Sequence, residues 1–134
     1  MITLKRVYDP VTSTDGVRFL VERLWPRGVK KTAVHIDAWL KDVAPSGALR
    51  RWFSHDPKKW SEFRRRYHGE LHASADALEP ILKASRHGRV TLVYSSHDTE
   101  HNNAVALKEY LDGETGKKAG ASHQEEESIK NEKG

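Results

Sequence analysis

The sequence predicts an α/β fold: a small, mainly parallel sheet flanked by helices in a Rossmann-like three-layer arrangement. Three observations carry this. Short apolar, β-branched runs open the chain and recur at 17–24 and 89–94. Between the early and late strands lies a long stretch, 46–88, with helical spacing, which implies a crossover and a parallel neighbour. The last strand then runs straight into a dense polar cluster, 95–103, that opens an amphipathic segment. In α/β proteins such a junction lies at the carboxyl end of a strand, where ligands usually bind.

Each element has its own signal. Residues 1–8 place Ile2, Leu4 and Val7 in a strand that Asp9-Pro10 breaks, and a polar loop runs to Asp15-Gly16. Residues 17–24 form a second strand bounded by Gly16 and Pro26. Trp25-Pro26-Arg27-Gly28 reads as a turn and Lys30-Lys31-Thr32 as a solvated loop. Over 35–43, Ile36, Ala38 and Leu40 alternate with Asp37, Trp39 and Lys41, which fits a strand; one helical turn fits as well, and Pro45 ends either. Ser46 is a helix cap for about 47–54, and Asp56-Pro57 starts a stronger helix. There Trp60, Phe63, Tyr67 and Leu71 recur at steps of three and four, so the helix buries an aromatic stripe. A further helical segment carries Leu78, Ile81 and Leu82, with Pro80 starting or kinking it and Gly88 at its end. Residues 89–94 are the clearest strand, and 100–111 the last helix, capped by Asp98 or Thr99 and stopped by Asp112-Gly113. One α/β domain, 1–112, is expected, followed by a disordered polar tail over 113–134, whose apolar residues are only Ala119, Ala121 and Ile129.

Composition narrows the class. The chain has no cysteine, which excludes disulfides, thiolate metal sites and a cysteine nucleophile and fits a cytoplasmic protein. Its N-terminus reads as a strand with no signal peptide, and no apolar run approaches the roughly 20 residues that cross a bilayer. The net charge is +4, and the tail contributes four Lys against five Glu, so the body is basic and favours anionic partners.

Several unusual phrases occur in order: Glu22-Arg23-Leu24-Trp25-Pro26-Arg27-Gly28, Trp39-Leu40-Lys41-Asp42-Val43-Ala44-Pro45-Ser46, Leu49-Arg50 through Trp52-Phe53, His55-Asp56-Pro57, then Trp60, Phe63 and Tyr67, and Asp98-Thr99-Glu100-His101-Asn102-Asn103-Ala104. Over about residues 2–112 the chain resembles the domain of unknown function 488 family, YeaO-like branch. The resemblance implies a compact cytoplasmic α/β protein and carries no established reaction. Other branches resemble this chain at the last strand but place a Cys-His-Arg phrase near Asn102-Asn103. With no cysteine here, thiol chemistry does not transfer.

Four constellations could carry chemistry. In the cluster after the last strand, a helix start attracts anions, Asn102 and Asn103 can hydrogen-bond a base, ribose or amide, and His101 can serve as acid, base or phosphate contact, with Asp98 beside it. The competing structural reading is helix capping by Asp98 and turn support by the asparagines. His97 and His101 are four apart, but the order is not that of a metalloprotease helix, and no metal is assigned. The second constellation, Arg23, Trp25, Arg27 and Lys41, could clamp a phosphate or carboxylate through a planar arginine fork, with Tyr94 nearby. Arg23, inside the strand, also reads as a structural ion-pair partner. The third is Ser46, Arg50, His55 and Lys59, where Ser46 reads as a cap and not a nucleophile, since no Gly-x-Ser-x-Gly elbow is present. The fourth is a basic helical face with Arg64, Arg65 and Arg66, usually solvated.

The expected function is therefore a cytoplasmic pocket for an anionic small molecule, a nucleotide or phosphorylated metabolite, at the carboxyl edge of the sheet. Whether the chain is an enzyme stays open. In an enzymatic version His101 is the acid–base group, with Asp98 as a further catalytic candidate, and Arg27 is the anion clamp. Arg23, Lys41, Tyr94, Asn102 and Asn103 complete the binding set. No Gly-x-Gly-x-x-Gly or P-loop is present, so no cofactor is named. The alternative is a nucleic-acid- or protein-binding module acting through the basic face, and a monomer or a homodimer is expected.

Overall fold

A computed structural model of the chain describes residues 1–114. Four strands, β1 (Ile2–Arg6), β2 (Val17–Leu20), β3 (Ala38–Trp39) and β4 (Val90–Tyr94), form one all-parallel sheet in the order β1-β4-β2-β3. The helices are α1 (Lys31–Val34), α2 (Gly47–Phe53), α3 (Trp60–Ala73), α4 (Glu79–Ser85) and α5, which starts at residue 103 and is helical through 114. The α/β class and its flanked parallel sheet are as the sequence predicts.

Side-chain alternation along the strands sorts the chain into two cores. Ile2, Phe19, Val21, Val90, Leu92 and Tyr94 face the larger one, built with α2 to α5 through Leu49, Phe63, Tyr67, Ile81 and Leu107. Leu20 and Val93 face the smaller one with Val7 and Val34, under a thin layer of loop and α1. The predicted stripe of α3 is buried at Phe63, Tyr67 and Leu71. Trp60, at its start, is only half-buried and stacks on Phe63.

Several boundaries differ from expectation, each for a local reason. β2 ends at Leu20 and not near residue 24; Val21 still donates to the Val93 carbonyl, but the Glu22 carbonyl accepts from Trp39 Nε1 at 2.6 Å and turns the chain outward. The ambiguous 35–43 segment contains both readings, a two-residue strand followed by a 3-10 turn over Lys41–Val43. The expected loop at 30–32 leads into a one-turn helix anchored by buried Val34 and closed by His35 in the left-handed region. β4 lies beside β1 and β2, not beside β3. Asp112-Gly113 does not stop α5: Lys108 Nζ holds Asp112 at 2.6 Å one turn on, and the helix continues through 114. The tail expected over 113–134 lies, from residue 115, outside the described residues.

The smaller core contains a polar network. Asp15 accepts from Lys5 Nζ at 2.8 Å and Arg18 Nη1 at 2.7 Å, while Arg18 also donates to the Val34 and His35 carbonyls. Burial pushes the Asp15 carboxyl up, but the bonds from Lys5, Thr12 and Arg18 overcome it and hold it well below the usual carboxylate range. The Thr91 hydroxyl donates to the Asp15 carbonyl at 2.7 Å, tying this loop to β4.

Gly16 sits where that loop enters β2, with φ +69° and ψ −143°, a region essentially reserved for glycine. A Cβ there would lie 2.0 Å from the Arg89 carbonyl oxygen, the atom that accepts from Val17 N. Gly16→Ala is expected to cost about 2–4 kcal/mol of unfolding free energy in urea titrations. Gly88→Ala, with open space around it and no positive φ, is expected to be within about 0.5 kcal/mol of the parent. Equal behaviour of the two variants would contradict this assignment.

Candidate functional site

The topology creates a crevice at the carboxyl edge. After β4 the chain passes to α5 on the face of the larger core, whereas after β2 it passes to α1 on the opposite face. Neighbouring parallel strands whose continuations part in this way leave an opening at their carboxyl ends. On the other side of β4, Arg6 bridges the corresponding gap, donating from Nε to the Ser96 carbonyl at 2.9 Å and lying 3.1 Å from His97 Nδ1. Between β2 and β4 there is instead a cavity of about 140 Å³, whose polar lining includes Glu22, Arg23, Arg50, His55, His101 and Ser95.

The start of α5 builds one wall. Asn102, 3 % exposed, is its N-cap: Oδ1 accepts from Val105 N at 2.9 Å and Nδ2 donates to the Asp98 carbonyl at 2.8 Å. The expectation that Asp98 or Thr99 caps this helix is corrected, because a separate turn intervenes. Asp98 Oδ1 accepts from the backbone N–H groups of Glu100 and His101, each at 2.9 Å, and these bonds hold its carboxyl below the usual range. Asp98 Oδ2 lies 3.0 Å from His101 Nδ1, so the imidazole is oriented with Nε2 left for another partner. The His101 ring also meets Trp60 edge-on at 5.4 Å. Asn103 Nδ2 donates to the Val21 carbonyl at 2.7 Å and fastens α5 to the end of β2.

The opposite wall comes from the chain after β2 and from α2. Arg23 Nε donates to the Pro45 carbonyl at 2.9 Å and Nη2 to the Ala44 carbonyl at 3.2 Å, which fixes the plane of its guanidinium. Glu22 accepts from Ser95 N at 3.0 Å. Burial pushes the Glu22 carboxyl above the ordinary glutamate range, against the Ser95 hydrogen bonds and the Arg50 charge. Arg50 is exposed, and among the described residues its guanidinium makes no hydrogen bond. Ser54 and His55 both have positive φ, 47° and 57°, which carries His55 out of α2 to the cavity's rim. Two consecutive non-glycine residues in that region store backbone strain beside the site.

Of the residues singled out in the sequence, Arg23, His101, Asn102 and Asn103 line this cavity, and Asp98 supports it through His101. Arg27 is exposed in the 24–28 turn and does not line it. Lys41 Nζ lies 4.4 Å over the Trp39 ring, away from the lining. Tyr94 is buried in the larger core, where burial and then the Asp9 charge push its hydroxyl up. Trp25 packs on Trp39 and donates to the Val29 carbonyl, so its face is not a free stacking surface. Arg50 and His55, from the third constellation, also line the cavity, whereas Ser46 and Lys59 do not; Glu22 was not among the candidates, and Glu22-Arg23 at the end of an apolar strand was the available signal. On the basic face Arg64 pairs with Glu109, and Arg65 and Arg66 both pair with Glu62. Arg66 and Lys59 also lie over the Trp52 ring. Among the described residues, no three His, Asp or Glu side chains converge to hold a metal ion, and no helix is long and apolar enough to cross a membrane.

The Glu22 shift has a stability consequence. A carboxyl raised on folding contributes fully below its unfolded titration, and that contribution is lost as pH rises through the folded one. Glu22→Gln keeps an acceptor for Ser95 N without the charge. It is expected to be more stable than the parent at neutral pH, with the difference shrinking towards acid in urea titrations. A parent that is the more stable of the two at neutral pH would contradict the assignment.

The profile of a family described as the inactive DUF488-N3 subclade matches residues 1–130. The chain is 39% identical over 110 residues, 82% of its length, to uncharacterized protein YeaO of Escherichia coli, 96% of which is covered. It is 39% identical over 112 residues, 84% of its length, to uncharacterized proteins of Mycobacterium tuberculosis and Mycobacterium bovis, each covered over 94%. No solved structure matches. With a profile match over almost its whole length and relatives at this identity, the chain belongs to the DUF488 family, in its YeaO-like branch.

Proposed function

We propose that this chain is a binding protein for a small anion, seated in the cavity between the ends of β2 and β4. The observation that carries the reading is the convergence of Arg23, Arg50, His55 and His101 on one cavity. Arg23 has its plane fixed, His101 has its tautomer and orientation set by Asp98, and Arg50 keeps its donors for a ligand. A planar guanidinium and an imidazole suit carboxylate or phosphate oxygens. The volume of about 140 Å³ is well below the roughly 300–1,000 Å³ of drug-sized pockets, so it admits an anionic head group and leaves the rest of a nucleotide or phosphorylated metabolite outside.

Binding is favoured over catalysis. The matching subclade is described as inactive, and no cysteine stands where other branches place one. Asn102 and Asn103 serve as struts of the site, since their amide N–H groups are held by the Asp98 and Val21 carbonyls. The basic helical face is the weaker candidate, because its arginines are paired with Glu62 and Glu109. The cysteine-free composition fits the cytoplasm, where phosphorylated metabolites are abundant.

Thermal-shift titration of the full chain with inorganic phosphate, against chloride of equal ionic strength, tests this. A saturable rise of several degrees is expected at about 100 times Kd. Arg50→Ala is expected to weaken phosphate binding about tenfold or more, as loss of a charge-assisted contact does. The triple variant Arg64→Ala, Arg65→Ala, Arg66→Ala is expected to retain it. No shift with phosphate, or a shift lost only in the triple variant, would overturn the proposal.

A further inference from the structure

The cavity that holds the cationic groups also holds a carboxyl, and that combination carries a second conclusion, which rests on the anion-binding reading above. Glu22 lines the same space as Arg23, Arg50, His55 and His101. An anion held in this cavity by Arg50, whose charge already acts on the Glu22 carboxyl, shares the space with that carboxyl, and like charges so close disfavour each other's ionisation. Glu22 cannot turn away, because Ser95 N on the β4 side holds its carboxyl and the backbone is pinned by the Trp39 indole.

We propose that the site binds its anion together with a proton, which is held on Glu22. A dianion entering alone would face the Glu22 carboxylate across the cavity. With Glu22 protonated, the repulsion vanishes and the carboxyl gains an O–H that can donate to a ligand oxygen. The atoms balance simply: one anion and one proton enter, and no covalent bond between heavy atoms forms or breaks. The site would thus bind its anion more tightly as pH falls and release it as pH rises.

The groups around Glu22 set the baseline. Arg23 follows it in sequence, and Arg50 faces it from α2. Tyr67 on α3 feels its charge, as it does that of Glu70, and donates its hydroxyl to the Val43 carbonyl. His55 on the α2–α3 turn and His101 before α5 line the cavity, and Asp98 pairs with His101. Burial already pushes the Glu22 carboxyl above the ordinary glutamate range, and a nearby anion pushes it in the same direction. His55 and His101 line the same cavity, so the test separates them from Glu22.

Calorimetric titration of the full chain with sulfate, which stays a dianion throughout, in two buffers of different ionisation enthalpy between about pH 6 and 8, counts the protons taken up. The parent is expected to take up about one proton per sulfate, with affinity rising about tenfold per unit fall in pH above the free Glu22 titration. Glu22→Gln is expected to bind sulfate with that proton lost, whereas His55→Gln and His101→Gln keep it. Sulfate binding without proton uptake in the parent, or uptake that persists in Glu22→Gln, would overturn the proton coupling and leave the anion site standing. No sulfate binding at any pH would overturn both. An infrared difference spectrum of the parent with and without sulfate gives an answer independent of any variant: a gained protonated-carboxyl band supports the coupling, and its absence overturns it.

Discussion

Val90–Tyr94 is buried along its whole length, parallel-paired to β1 on one edge and β2 on the other, and the remaining elements take their positions from it. A strand in that position must satisfy its backbone on both edges and bury side chains on both faces, which is why it reads as an unbroken apolar run apart from Thr91. Thr91 is accommodated because its hydroxyl meets Thr3 at 2.9 Å and the Asp15 carbonyl. The chain can leave such a strand only at the carboxyl edge, and the direction it takes there decides where a crevice opens.

That edge is held by bonds between segments distant in sequence. Asn103 ties α5 to β2, Trp39 and Ser95 fix the two ends of Glu22, and Arg23 reaches back to the turn before α2. Ser46, the α2 cap, is in turn held by Glu70 of α3, which accepts from both its N–H and its hydroxyl. The rim is therefore braced from strand, helix and loop at once, while Arg50 and His55 are the exposed members.

The fold was legible because its signals are periodic and local. Short apolar runs located β1, β2 and β4; the three-and-four spacing of Trp60, Phe63, Tyr67 and Leu71 located α3; Ser46 and Asp56-Pro57 marked helix starts. What the sequence could not convey was which polar groups meet. His101, Asn102 and Asn103 were readable from their place after a strand and Arg23 from its place near the end of one, but Arg27, in the turn that follows, is exposed. Glu22 carried no signal of its own, and only the closeness of Ser95 and Arg50, 73 and 28 positions away in sequence, makes it part of the cavity. The cap of α5 was misplaced because Asp98 and Asn102 are both good capping residues, and the turn that Asp98 closes consumes the residues between them.

The most direct test of the central claim is a backbone NMR titration of the full chain with inorganic phosphate. The account predicts saturable shifts centred on the cavity lining, at Glu22-Arg23, Arg50, His55 and 95–103, with the amides of Arg64–Arg66 unmoved. Shifts centred on Arg64–Arg66, fading with added salt, would contradict it and move the function to the basic helical face.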